Sequence, residues 1–271
     1  MILVTGATGN IGRALLKELR GMRVRGLTRD AARAGFPGAV EGDLAHPESL
    51  KYALDGVRSL FLLQGLGPEE DILGQAKKVG VEHVVLVSSI TVETHPHLPA
   101  AKRNRAVEEA LRGSGMEWTV LRPTQFASNT LWWAQAIREH GEVRAPYADT
   151  GLPTIHPADI AAVAHRALTT RAHRNRTYAL TGPAQVTVRE QVETLAATLG
   201  RDLTLTELTR AEAHDDMTAY LDPETADAVL DLTGGDVNDG LLRVRTTVPE
   251  ITGAPGRTYR QWAAENTDAF R

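Results

Sequence analysis

The sequence predicts an α/β fold, a doubly wound parallel sheet with a smaller C-terminal α/β lobe, and three features carry that expectation. Short β-branched runs alternate with stretches of helical length over the first ~120 residues, the pattern of β-α-β units. Apolar residues in those stretches recur at spacings of three and four, as in Ile11, Ala14, Leu15 and Leu19, so each offers one face to a sheet. The first run ends in Gly6, Gly9 and Gly12, spaced so that strand passes through a tight turn into helix.

In order, strands are expected at 1–5, 22–28, 39–43, 60–63, 83–88 and 118–121, each a short apolar run. The amphipathic segments 11–20, 47–54, 68–79 and 104–112 are the expected crossover helices. Right-handed crossovers place ligands at the carboxyl ends of the strands, where functional residues are therefore sought. From about Arg122 the alternation loosens into helical stretches at 129–139, 158–168 and 188–199, with strand-like runs at 177–180 and 203–208. The expected organisation is a nucleotide-type domain over 1–125 and a substrate lobe over 126–271. No Gly/Ser/Pro-rich linker separates them, so the two are expected to pack as one unit and to interleave.

Composition narrows the function classes. With 42% hydrophobic and 24% charged residues among 271, the chain has the make-up of a globular protein rather than a disordered or fibrous one. Its net charge of −4 supplies no field for nucleic acid or an anionic membrane. Cysteine is absent, which removes disulfides, thiolate metal sites and a thiol nucleophile and suits a reducing cytoplasm. Apolar runs such as Val84-Val85-Leu86-Val87 fall far short of the ~20 residues that cross a bilayer, and the chain opens directly into a strand, so a soluble, untargeted protein is expected. The acidic stretch Asp222, Glu224, Asp227, Asp231, Asp236 and Asp239 matches no calcium loop and is expected to be a solvated face. The basic stretch Arg166, Arg171, His173, Arg174 and Arg176 has no stacking platform beside it and is expected to be ordinary solvated surface near a helix end.

The glycine turn carries the strongest chemical signal. Gly6 permits the tight turn, Gly9 lets backbone approach a diphosphate, and Gly12 lets the helix pack on the strand, while unpaired N–H groups at the helix start favour negative charge. The turn, with Thr8, Asn10 and Ile11, is thus the candidate phosphate cradle. Selection between nicotinamide dinucleotides falls at the end of the second strand, Leu27-Thr28-Arg29-Asp30. Arg29 stands where a guanidinium forks onto a 2′-phosphate and Arg33 is near enough to assist, which favours NADP(H); Asp30 keeps NAD(H) open. Asp43 either meets the adenine amino group or caps the turn before Pro47. With Leu44, Gln64, Ser88 and Pro123, which end successive strands, these residues complete the candidate cofactor set.

With the turn and Arg29 in place, the chain resembles the NmrA-like family of atypical short-chain dehydrogenase/reductases. Family-like blocks follow in family order: His83-Val-Val-Leu-Val-Ser-Ser-Ile90, Val107-Glu108-Glu-Ala-Leu-Arg-Gly-Ser-Gly115, Trp118-Thr-Val-Leu-Arg-Pro-Thr-Gln-Phe126 through Asn129, Ile155-His-Pro-Ala-Asp-Ile160 and Tyr178-Ala-Leu-Thr-Gly-Pro183. The likeness spans roughly residues 1–210. It implies a Rossmann domain binding NADP(H), a small substrate lobe, and one of two roles: reduction of a quinone-like or conjugated small molecule, or redox sensing without turnover. A non-redox isomerase or lyase on the same fold is the third reading. A small-molecule substrate, no nucleic acid or membrane partner, and a monomer or homodimer are expected.

At the catalytic centre the chain departs from the wider superfamily, whose members usually use a tyrosine as proton donor with a lysine four residues later. No tyrosine lies between Tyr52 and Tyr147. NmrA-like enzymes often keep a lysine four residues before the glutamate that resembles Glu108; that position is Asn104 here. Lys102 lies two residues earlier, turned away by ~200° if the segment is helical and within reach of the ribose if it is irregular. Both stay candidates, with Ser88 and Ser89, which either hydrogen-bond substrate or satisfy loop backbone groups. His95-Pro96-His97 is expected in a solvent-exposed loop, where His95 overhanging the site would be a proton donor near neutral pH. A third ligand with sensible spacing is wanting, so no metal is expected. Phe126, Trp132, Trp133 and His156 are the candidate substrate pocket; core or subunit packing is the other role for the tryptophans, and Asp159 is a candidate helix cap. Reduction of a conjugated acceptor places charge on an oxygen that water protonates, so positioning alone can serve without the tyrosine.

Overall fold

The computed structural model describes residues 1–271. The chain runs through β1 (Ile2–Val4), α1 (Asn10–Glu18), β2 (Val24–Thr28), β3 (Ala39–Glu41), α2 (Lys51–Leu54), β4 (Ser59–Leu63), α3 (Glu69–Lys78), β5 (His83–Val87), α4 (Thr91–Thr94), α5 (Pro99–Gly113) and β6 (Glu117–Pro123). It continues through α6 (Ala134–His140), β7 (Glu142–Pro146), α7 (Pro157–Thr169), β8 (Arg176–Leu180), α8 (Val188–Leu199), β9 (Thr204–Leu208), α9 (Arg210–Thr218), α10 (Pro223–Leu230), α11 (Asp239–Leu242), α12 (Thr247–Thr252) and α13 (Tyr259–Glu265). Two compact units result. One comprises Met1–Pro123, Pro157–Leu180 and Thr247–Pro255; the other comprises Thr124–His156, Thr181–Thr246 and Gly256–Arg271.

The first unit is a seven-stranded parallel sheet in the order β3-β2-β1-β4-β5-β6-β8. Its central strands are buried on both faces, which is why they read as unbroken Val/Leu runs rather than alternating ones. Leu3, Leu60, Leu62, Val84, Leu86 and Val120 meet Leu50, Leu54, Ile72, Leu73 and Leu111 from the helices in one core. Each fully buried leucine contributes roughly 1.5–3 kcal/mol. α7 packs against α1 in the same unit. Strand order reverses around β1, which β2 and β4 flank, and a parallel sheet binds ligands at the carboxyl ends beside such a reversal. The β1 and β4 ends are pinned there, because Leu63 N–H donates to Thr5 Oγ1 at 2.9 Å.

The second unit holds the parallel pair β7 and β9 over a core of Ile137, Val143, Val192, Leu195, Tyr259, Trp262 and Phe270. Three of its helices, α8, α9 and α13, start with reciprocal capping boxes, Thr187/Glu190, Thr209/Glu212 and Thr258/Gln261.

Several expectations need correction. β2 starts at Val24 because the Met22 N–H closes the end of the α1 segment onto the Leu19 carbonyl. α5 starts at Pro99, five residues before the apolar periodicity, since proline at a helix's first turn sacrifices no hydrogen bond. The stretch expected as one helix at 129–139 is a 3-10 segment over Ala127–Trp133 followed by α6, and β7 was not foreseen. The acidic face is not merely solvated, because Asp227 and Asp231 pair with Arg210 and Asp222 caps α10 by accepting from Thr225 N–H. No helix is long and apolar enough to cross a membrane.

Candidate active site

The first unit supplies a cradle at the end of β1. Gly6 holds φ +59, a conformation that side-chain-bearing residues resist, and a Cβ on Gly12 would overlap the Gly6 carbonyl oxygen. Gly9 forms the N-cap of α1 with no side-chain cap, and the first turn holds no acidic residue. The N–H groups at that helix start therefore have no side-chain acceptor and stand ready for an anion. Thr8 and Asn10 are exposed, while the Ile11 side chain is buried, so Ile11 offers only backbone.

At the end of β2, Arg29 is exposed and makes no ion pair within the chain. Asp30 is engaged: its carboxylate accepts from Arg33 N–H at 3.1 Å and lies 3.5 Å from the Arg33 guanidinium. The acid that would favour NAD(H) is thus committed to Arg33, and Arg33 in turn is partly neutralised. Asp43 accepts from Ala45 N–H at 3.0 Å, an Asx turn rather than a cap on the Pro47 turn, whose N-cap is His46. Leu44 is buried, and its carbonyl lies where a Cβ on Gly67 would sit, so the 64–67 loop packs directly on this strand end. Gln64 donates its N–H to the Val87 carbonyl, while its buried Oε1 has no partner. An orphaned buried acceptor and a Cβ-free turn with uncapped amides fit a dinucleotide.

The two serines are structurally committed. Ser88 Oγ donates to Glu108 Oε1 at 2.7 Å, and Ser89 Oγ accepts from the Thr91 N–H and hydroxyl at 3.2 and 2.9 Å. Glu108 is fully buried and also binds Arg122 through both carboxylate oxygens and Arg112 at 2.8 Å. Burial alone raises a carboxyl pKa, but hydrogen bonds from Arg122, Ser88 and Arg112 and the Arg122 charge outweigh it and hold Glu108 below its ordinary value. Pro123 closes β6 and its carbonyl accepts from Ile90 N–H at 3.0 Å.

The irregular segment that would bring Lys102 to the ribose is replaced by α5, on which Lys102 is exposed. Asn104 lies one turn before Glu108 and shares its face. His95 is not in an exposed loop: it closes α4 fully buried, its Nδ1 2.9 Å from Thr94 Oγ1.

The second unit contains a cavity of about 470 Å3. Phe126, Trp132 and Trp133 line it, joined by Met217, Tyr220 and Leu232. Trp132 and Tyr220 are 62% and 66% exposed, so two flat rings stand open to an incoming ligand instead of being core or fully covered. Thr130, Gln125, Asn129 and Gln191 add neutral polar groups. His156 is absent from this lining; it is buried, with Nε2 3.3 Å from Glu265. No local feature of the sequence marks Met217, Tyr220 and Leu232, which reach the cavity through tertiary packing. Gln125 and Asn129 fell inside a family-like block but had no periodicity or charge to single them out.

The cradle and the strand order define a dinucleotide-binding α/β protein. A family model described as NAD(P)H-binding matches residues 6–171. The whole chain is 39% identical to a (4-alkanoyl-5-oxo-2,5-dihydrofuran-3-yl)methyl phosphate reductase of Streptomyces griseus and 35% identical to an NAD(P)H azoreductase of Xenophilus azovorans, covering 99% of each. Its fold superposes on an NADPH-dependent quinone oxidoreductase of Escherichia coli crystallised with NADPH, at a TM-score of 0.81 and 26% identity over 98% of this chain and 99% of that one. The chain belongs to the NAD(P)H-binding family, within the NmrA-like group of atypical short-chain dehydrogenase/reductases.

Proposed function

We propose that this protein is an NADPH-dependent reductase of small conjugated or quinone-like acceptors. The observation that carries the reading is the Cβ-free turn at Gly6, Gly9 and Gly12 with uncapped helix amides and an unpaired Arg29 just past the end of the neighbouring strand. The backbone of Thr8 to Gly12 receives the diphosphate, and Arg29 receives the 2′-phosphate that separates NADP(H) from NAD(H). Asp43, Leu44, Gln64, Ser88 and Pro123 bound the adenosine and nicotinamide portions. NADPH supplies the hydride when bound. Phe126, Trp132 and Trp133 stack a planar acceptor, with Thr130, Asn129 and Gln191 as polar contacts, and water supplies the proton. Relatives named as reductases of dihydrofuranone phosphate, azo and quinone compounds support an acceptor of this class. A cysteine-free chain suits a reducing cytoplasm, and the reading there is of a monomer or homodimer acting on small molecules.

Calorimetric titration with NADPH, NADP⁺, NADH and NAD⁺, followed by quinones, azo compounds and enones watched at the NADPH absorbance, tests the reading. Tight NADPH binding with acceptor-dependent oxidation is expected. The commitment of Ser88 and Ser89 and the outward turn of Lys102 favour one rival, a dinucleotide sensor. Binding without oxidation by any acceptor would overturn the reductase and leave the sensor or a non-redox isomerase or lyase.

A further inference from the structure

Arg13 stands in the first turns of α1, where a cation opposes the helix dipole. No acid answers it: the first turn holds none, and Arg13 makes no ion pair. Its only partner is the Thr8 carbonyl, to which Nε donates at 2.7 Å. That bond folds the exposed side chain back over the glycine turn and leaves the terminal guanidinium nitrogens unengaged. β1 and β2 are hydrogen-bonded neighbours in register, Val4 opposite Gly26. Thr8 follows the end of β1 and Arg29 follows the end of β2, so both leave the same carboxyl edge of adjacent strands. Asp30, the carboxylate beside Arg29, is already spent on Arg33. Arg13, folded onto Thr8, and Arg29 thus both lie past the carboxyl ends of adjacent strands, each without an acid to answer it.

We infer that Arg13 is a specificity residue that, with Arg29, receives the 2′-phosphate of NADP(H). The inference rests on the NADPH reading above. A phosphate monoester carries close to two negative charges near neutral pH, one for each guanidinium, and offers enough oxygens for both. The Thr8 bond pre-positions Arg13, so little side-chain freedom is lost on binding. Arg33, the sequence's candidate for the assisting cation, is displaced from that role by its engagement with Asp30.

The test is calorimetry of the full-length protein with NADPH, NADH and 2′-phospho-ADP-ribose, which needs no turnover. Arg13→Ala is expected to weaken NADPH and 2′-phospho-ADP-ribose about tenfold and leave NADH unchanged. Arg13→Gln keeps a neutral donor for the Thr8 carbonyl while removing the charge, and is expected to match Arg13→Ala; Arg13→Lys is expected to recover part of the loss. Equal weakening of NADPH and NADH would reduce Arg13 to a brace of the turn and overturn the inference, as would full NADPH affinity in Arg13→Gln. Wild-type protein that does not prefer NADPH to NADH would sink the NADP(H) reading itself, and Arg29→Ala, expected to weaken NADPH selectively, separates the two failures. Unchanged far-UV circular dichroism and thermal midpoints identify the variants that have folded.

Discussion

At the head of β5, His83 is fully buried with Nε2 3.1 Å from Thr119 Oγ1, and because that hydroxyl donates to the His173 carbonyl, His83 carries its proton on Nε2. Burial, aided by the Arg174 charge, pushes its pKa down to about 4. The folded state therefore resists a proton that the unfolded chain takes up near 6.5, so stability is full above ~6.5 and falls as pH drops toward 4. Wild type should lose about 2 kcal/mol more than His83→Gln between pH 7 and pH 5, as read from urea midpoints; equal losses would refute the assignment. Glu108 has its folded pKa held below the ordinary carboxyl value, so its contribution is present above that ordinary value and fades as pH falls through the folded pKa. Glu108→Gln leaves Arg122 and Arg112 without a counter-charge and should cost about 3 kcal/mol at pH 7, a gap that narrows on acidification; a pH-independent gap would mean packing, not charge, is at stake. The sequence exposed part of this cluster. Arg112 four residues after Glu108 is a legible helical pair, whereas Ser88 and Arg122 meet Glu108 only because β5, β6 and α5 converge, so neither a substrate bond nor a loop-backbone bond for Ser88 points to this carboxylate.

Elements whose sequence period matches their environment were legible, and those held by tertiary contact were not. The buried parallel strands and the turn into α1 announce themselves through apolar runs and glycine spacing. β7 does not, because Glu142-Val-Arg-Ala-Pro146 alternates over too few residues and is a strand only through its pairing with β9. The α9–α10 wall of the cavity is equally silent in sequence. It is held by Arg210 from α9, which bonds Asp227 at 3.0 Å, Asp231 at 2.9 Å and the Tyr147 hydroxyl at 3.3 Å. Tyr147 itself sits at φ +55, an uncommon conformation for a bulky residue, and its ring occupies the space a Cβ on Gly234 would need. Gly234→Ala should therefore displace this wall, which supplies Met217, Tyr220, Val229 and Leu232 to the cavity. Overpacking of this kind costs roughly 1–3 kcal/mol. A several-fold rise in KM for bulky acceptors is expected, on the order of 1 kcal/mol in binding, with the Kd for NADPH unchanged. If acceptor KM stays at the wild-type value, the wall does not set acceptor fit.

On the scale of the molecule, each unit is assembled from three separate stretches of chain, so sequence order and spatial order part company. The apparent boundary near 125 marks where β-α-β alternation stops, yet the sheet is incomplete there. β8 pairs with β6 from Thr119 opposite Arg176 to Pro123 opposite Leu180, and α7 lays Ile160, Val163 and Ala164, all fully buried, into the same unit. The seventh strand was visible as an apolar run at 177–180, but its return to the first sheet was not, because nothing local tells a strand which neighbour it will find. A fragment of residues 1–125 would leave β6 as an unpaired edge in a sheet designed to be covered, and would strip α1 of the helix packed on it. Such a fragment should retain helical far-UV signal but lose cooperative urea unfolding, bind a hydrophobic dye and tend to aggregate. It should also lose measurable affinity for NADPH, because the cradle at Gly6 to Gly12 needs α1 held against the sheet for its amides to converge. A fragment that unfolds cooperatively and binds NADPH within about threefold of the full-length chain would show that 1–125 folds by itself and that α7 and β8 are accessories. Loss of both properties would make the returning strand and helix part of the nucleotide site's foundation.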